Sequence, residues 1–137
     1  MPPHGPALAV GDHRGWIPAD PATLATHWPG VWALGDITSV TAPSGKPVPK
    51  AATFAKSQAA AVASQIIGYL GDGLPNLDSQ FHGRGECFVE VGAHRSGLAH
   101  IDFFALPAPR LVLTDPSEEL HERKQREEAE WIQRWQR

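Results

Sequence analysis

The side chains that could do chemistry are few and widely spaced. The single cysteine, Cys87, stands in Gly83-Arg84-Gly85-Glu86-Cys87-Phe88-Val89-Glu90-Val91-Gly92. One thiol excludes a disulfide within the chain. On a strand, its plain fate is that of a small buried hydrophobe. Asp36 follows Gly35 at the end of the apolar run Val31-Trp32-Ala33-Leu34. A carboxylate there stands at the C-terminal edge of a strand, where ligands of α/β folds sit. The alternative is a turn cap. Gly35 lets the backbone come close to a bound molecule. Lys50 precedes an alanine-rich stretch, and the amides of Ala51, Ala52 and Thr53 would open a helix there. Such amides carry partial positive charge and stabilise an anion. Lys50 either adds a full charge at that point or is a solvated lysine. The seven histidines are scattered, and His94 and His100 have no companions at ligand spacing, so no metal site is expected.

These residues need elements to position them. Trp16-Ile17-Pro18 reads as a short extended piece, because the residue before a proline avoids the helical region. Thr23-Leu24-Ala25-Thr26 reads as a second short strand. Val31–Leu34, bounded by Pro29-Gly30 and Gly35-Asp36, reads as a buried parallel strand. Residues 37–49 form a proline-rich loop. The spacing of Phe54, Ala55, Ala59, Val62, Ala63, Ile66, Ile67 and Leu70 predicts a helix over 51–70 with one buried face. Gly71, Gly73 and Pro75 end it. Beyond residue 81 the pattern turns to strands at Glu86–Val91, Gly97–Phe104 and Arg110–Leu113, a small antiparallel sheet. A charged helix starts near Pro116 with Asp115 as N-cap. Glu119/Arg123, Glu122/Arg126 and Glu130/Arg134 fall at i, i+4.

The fold expected is therefore an α/β fragment, strand–loop–helix, followed by a small antiparallel sheet and a C-terminal helix. Its parts are residues 1–75, 76–115 and 116–137. The chain has 137 residues, 42% of them hydrophobic and 20% charged, which suits a soluble globular protein. A net charge of −3 gives no reason to expect nucleic acid. No run approaches the roughly 20 apolar residues of a membrane span. Met1-Pro2-Pro3-His4-Gly5-Pro6 lacks a basic-then-apolar signal pattern and reads as a chain entered mid-loop. The expected location is cytoplasmic or peripheral on a membrane surface.

Three segments together resemble the C-terminal third of FAD-dependent pyridine nucleotide-disulfide oxidoreductases, in the group of sulfide:quinone oxidoreductase and flavocytochrome c sulfide dehydrogenase. The first runs from Trp16-Ile17-Pro18-Ala19-Asp20 through Thr23–Thr26 to Val31–Asp36, and is similar to a strand ending in Gly-Asp that closes the flavin site. The second is Lys46-Pro47-Val48-Pro49-Lys50-Ala51 leading into the alanine-rich helix. The third is Gly83–Gly92 followed by Asp102-Phe103-Phe104.

The resemblance implies a parent enzyme that moves electrons from sulfide or a reduced nicotinamide through FAD to a quinone or cytochrome. It implies that Gly35 and Asp36 meet the flavin, with Asp36 accepting from a ribityl hydroxyl. It also implies that Ala51, Ala52 and Thr53 point at the flavin pyrimidine edge, that Lys50 raises the flavin potential, and that Cys87 is a redox cysteine bridging to one in the N-terminal half. The sequence departs from the family in having no Gly-x-Gly-x-x-Gly after a strand. Gly83-Arg84-Gly85 runs into Glu86-Cys87-Phe88 instead. FAD binding by this chain alone is therefore expected to be weak or absent, and its partner would be the N-terminal half or a second copy. In quinone-reducing relatives the last helix touches the membrane, and here Trp131, Ile132 and Trp135 with Arg134 and Arg137 offer such a contact. A solvated helix with an apolar docking end is the preferred expectation. The rival function is a non-catalytic dimerisation or interaction module.

Overall fold

The computed structural model describes residues 14–71 and 79–136. The expectations for Met1–Pro6, Gly73 and Pro75 lie outside the described residues. Among the described residues the fold is mixed α+β: two helices, a parallel pair of short strands and a three-stranded antiparallel sheet.

The parallel pair is β1 (Ile17–Pro18) with β2 (Thr38–Ser39), in register Ile17↔Thr38. The expected strand at Val31–Leu34 is therefore corrected. That run makes a single antiparallel bridge, Ala25↔Trp32. The cause is a tight reversal at Trp28–Gly30, where Gly30 takes φ +73° and the Val31 amide bonds Trp28 O at 3.1 Å. The chain folds back on itself, with Thr26 N to Val31 O at 2.9 Å and Ala33 N to Leu24 O at 3.1 Å. Thr23–Thr26 likewise is no continuous strand. Leu24 sits at φ +60°, which interrupts extended backbone. The Asp20 carboxylate ties down the preceding turn, accepting from Thr23 N at 2.7 Å, Thr23 Oγ1 at 2.9 Å and Ala22 N at 3.0 Å. A turn of 3-10 helix at Gly35–Ile37 then delivers the chain to β2.

The long helix α1 spans Ala52–Gly71. Its buried face is rotated from the expected one. Phe54, Gln58, Ala61, Val62 and Gln65 are buried, whereas Ile67 and Leu70 are 71% and 78% exposed. Two glutamines hold this face because each finds a partner. Gln58 Oε1 accepts from Gly35 N at 2.7 Å, and Gln65 Nε2 donates to Ser79 O at 3.3 Å. An amide that keeps a hydrogen-bond partner can be buried where one with none could not.

The core joins both halves of the chain. Leu24, Val40, Phe54, Ala61, Val62 and Phe81 form its centre, with Trp32, Leu34, Ile101, Phe103 and Phe104 packed around it. Phe54 meets Phe81 and Phe103 edge-on, with centroids 6.2 and 6.0 Å apart. Phe81 meets Phe104 at 5.2 Å. Burying a phenylalanine side chain stabilises a fold by about 1.5–3 kcal/mol, so these rings fix how α1 sits on the sheet.

The sheet has order β3 (Arg84–Gly92), β4 (Arg95–Asp102), β5 (Arg110–Leu113). A two-residue turn at Ala93 and His94, both at positive φ, closes the β3–β4 hairpin. The final helix, α2, spans Glu118–Trp135. Its N-cap is Ser117 and not Asp115, since Ser117 Oγ accepts from Leu120 N at 3.2 Å. The helix starts late because Ser117 is still paired to the sheet through reciprocal backbone bonds with Ser96 at 3.1 and 3.0 Å. Arg126 pairs with Glu122 at 3.8 Å as expected, but Arg123 turns to Glu127 at 2.8 Å and to Glu86 of β3 at 3.5 Å. Among the described residues no helix is long and apolar enough to cross a membrane.

Candidate functional site

The first turn of α1 is the meeting point of three distant segments. Gly35, Asp36, Lys50 and Ala51 line one small cleft of about 10 Å³, walled by Phe54 and Gln58. Ala51, Ala52, Thr53 and Cys87 line an adjoining open groove of about 890 Å³, closed on its far side by Arg123 and Trp131 of α2. Ala51 belongs to both. All seven residues singled out from the sequence thus surround one helix end.

Gly35 needs its glycine for the turn, at φ +73°, where a side chain is strained. Its amide is committed to Gln58 and its carbonyl to Thr38 Oγ1 at 2.8 Å. The small cleft is therefore braced by its own backbone. Asp36 is exposed, and among the described residues no side chain pairs with its carboxylate. It is free to accept from a bound hydroxyl. Lys50 is not free in this way. Its Nζ donates to Thr38 O and lies 4.1 Å from the centroid of the Trp16 ring, so its charge is held against the β1–β2 pair.

Thr53 Oγ1 accepts from the Glu86 amide at 2.9 Å, which fastens α1 to the outer edge of β3. Gly85 makes this approach feasible. A Cβ there would stand 2.5 Å from Thr53 Oγ1 and 2.9 Å from its Cγ2. Cys87 lies two residues on and is exposed, with Sγ 3.6 Å from Phe88 O. It is not the buried hydrophobe that was one of its two expected states.

α2 is clamped over this region by ion pairs. Lys124 bonds Glu128 at 3.0 Å and Glu90 at 3.1 Å, and both bonds push its ammonium above the ordinary lysine value, the Glu128 bond more strongly. In return the Lys124 bond is the main cause that holds the Glu90 carboxyl below its ordinary value. Bonding to Ser96 and the nearby charges of Lys124 and His121 also favour the carboxylate, with partial burial opposing. Glu127 raises Arg123 above the ordinary arginine value in the same manner. Among the described residues no three His, Cys, Asp or Glu side chains gather as a metal site.

Sequence reasoning missed Gln58, Gly85 and Arg123. A signal for Gln58 was available: it falls four residues after Phe54, on the same stripe as Val62. Arg123 had no local signal, because its partner Glu86 comes from the sheet. No protein-family model, curated protein or solved structure matches the chain.

Proposed function

We propose that the chain is the flavin-closing part of an FAD-dependent oxidoreductase of the pyridine nucleotide-disulfide type. Electrons would pass from sulfide or a reduced nicotinamide to a quinone or cytochrome acceptor. The observation that carries this is the convergence of Gly35-Asp36, Lys50–Thr53 and Cys87 around the start of α1. The residues fit the group. The Asp36 carboxylate is exposed and unengaged, and the groove beside Cys87 has the volume of ordinary cofactor sites, about 300–1,000 Å³.

Bound FAD would supply reversible storage of an electron pair. Asp36 would accept a hydrogen bond from a ribityl hydroxyl. Ala51, Ala52 and Thr53 would present the positive end of α1 to negative charge on the cofactor. Cys87 would offer an accessible thiol on the sheet side. Lys50 acts only at a distance, since Thr38 and Trp16 already hold it. The pyrophosphate end of the cofactor would lie on a further segment or a second chain, because no Gly-x-Gly-x-x-Gly occurs in this sequence.

The test is a titration of the isotope-labelled chain with FAD to millimolar concentration, read by amide NMR. Saturable shifts at Asp36 and Ala51–Thr53, lost in Asp36→Ala with the remaining spectrum unchanged, support the assignment. Shifts confined elsewhere, or none, sink it.

A second function is favoured by one observation: Ile67, Tyr69 and Leu70 leave an apolar stretch of α1 open to solvent. That face suits an interaction module or a dimer. Sedimentation velocity of the wild type against Ile67→Lys decides it. A dimer that Ile67→Lys dissociates supports self-association through α1, and a wild-type monomer at high concentration removes it.

A further inference from the structure

A second cluster of charge lies on the three-stranded sheet and plays no part in the flavin assignment. The register sets Arg84, Asp102 and Arg110 in one cross-strand row and Glu86, His100 and Val112 in the next. Rows two residues apart share a face. α2 crosses this face only further along, where Arg123 lies over Phe88 and His121 meets Ser96. The uncovered end forms a concavity of about 450 Å³ lined by these six side chains.

The pairing there is uneven. Glu86 takes His100 Nδ1 at 3.0 Å and Arg123 at 3.5 Å. Asp102 takes Arg84 at 3.6 Å. Arg110 stands opposite Asp102 in the register yet makes no ion pair among the described residues. Arg123 lies outside the lining and has its nearer partner in Glu127 at 2.8 Å, so the concavity itself sets two guanidinium groups against two carboxylates and leaves the Arg110 guanidinium without an ion pair. The Arg84–Asp102 pair is exposed and long, the kind of surface bridge worth about 0–1 kcal/mol that a better anion displaces. With Nδ1 held by Glu86, His100 keeps Nε2 for a ligand, as acceptor from a P–OH or, when protonated, as donor.

We propose that this concavity binds the phosphate group of a small organic phosphate. Arg110 and Arg84 supply guanidinium donors, His100 Nε2 makes the third contact, and Val112 forms an apolar wall for the organic part. A tetrahedral phosphate can take two guanidinium forks and an imidazole at once, whereas one fork already satisfies a planar carboxylate.

The experiment titrates the labelled chain with inorganic phosphate against sodium chloride at matched ionic strength. It follows the Arg Nε–H signals, the His100 ring and the Val112 amide. Saturable, phosphate-specific shifts are expected, with dissociation constants raised about tenfold or more in Arg110→Gln, the loss of a charge-assisted bond, and less in Arg110→Lys. Arg110 is an exposed edge residue, so unchanged α2 signals will show that the variants fold. Chloride reproducing the shifts, or Arg110→Gln binding phosphate as well as wild type, overturns the site. FAD binding is read at Asp36 and Ala51–Thr53, so the two proposals fail separately.

Discussion

The Thr53 hydroxyl accepts from the Glu86 amide at 2.9 Å, and this one bond couples the first turn of α1 to the unpaired edge of β3. It is also the strut that brings Cys87 beside Ala51 and Ala52. Gly85 is what lets the two elements touch, because a Cβ would enter the Thr53 side chain at 2.5 Å. Gly85→Ala should therefore destabilise the fold by about 1–3 kcal/mol, the usual cost of overpacking. Thr53→Ala should cost about 0.5–1.5 kcal/mol, a single hydrogen bond. The double variant should be less destabilised than the sum, since trimming the Thr53 side chain to a methyl makes room for the methyl added at Gly85. Urea denaturation of the four proteins measures this, and strict additivity would mean that the contact is not the source.

Gln58 makes a comparable strut inside the core. It is 3% exposed and bonds the Gly35 amide at 2.7 Å. Gln58→Leu should cost about 1–3 kcal/mol, the penalty for leaving a partly buried donor without an acceptor. Amide exchange at Gly35 should accelerate more than exchange in β4. Equal acceleration everywhere would show global loosening instead.

The elements were legible in the sequence wherever local chemistry decides them. α1, the three strands of the sheet and the existence of α2 follow from periodicity and turn residues. Three features did not follow, two because a distant partner decides them and one because the chain reverses just ahead of the run. The α1 face rotated because Gly35 and Ser79 each bond a buried glutamine. The run Val31–Leu34 lost its parallel partner to a reversal at Gly30. The cap moved from Asp115 to Ser117 because Ser96 extends the sheet pairing by backbone bonds. The candidate site was legible as residue types, while the sharing of Ala51 between two concavities depends on the Thr53–Glu86 contact.

Acid should loosen α2 before it unfolds the core. The folded Glu90 carboxyl lies below its ordinary value, chiefly through the bond from Lys124. Its contribution is therefore complete above the unfolded value, about 4.3, and disappears as pH falls through the lower folded value. Amide protection in α2 should fall below about pH 4 while that of Phe54 and Val62 persists. Glu90→Gln should reduce protection in α2 at neutral pH and flatten its acid dependence. An acid profile identical to wild type would assign the effect to other carboxylates. Raised salt should weaken the same clamp, because the pairs are largely exposed.

The N-cap of α2 offers a sharp comparison between two neighbouring residues. Ser117 Oγ accepts from Leu120 N at 3.2 Å, whereas Asp115 lies two residues before that cap. Ser117→Ala should destabilise by about 1 kcal/mol, the typical loss of a serine cap. Asp115→Ala should change stability by less than about 0.5 kcal/mol, as for an ordinary surface position. Ser117→Asp should restore most of the loss, since aspartate caps equally well and adds negative charge at the positive end of the helix. Thermal denaturation of the three variants gives the ranking. If Asp115→Ala proved the costlier change, the helix would begin two residues earlier and the Ser96–Ser117 pairing could not be as described.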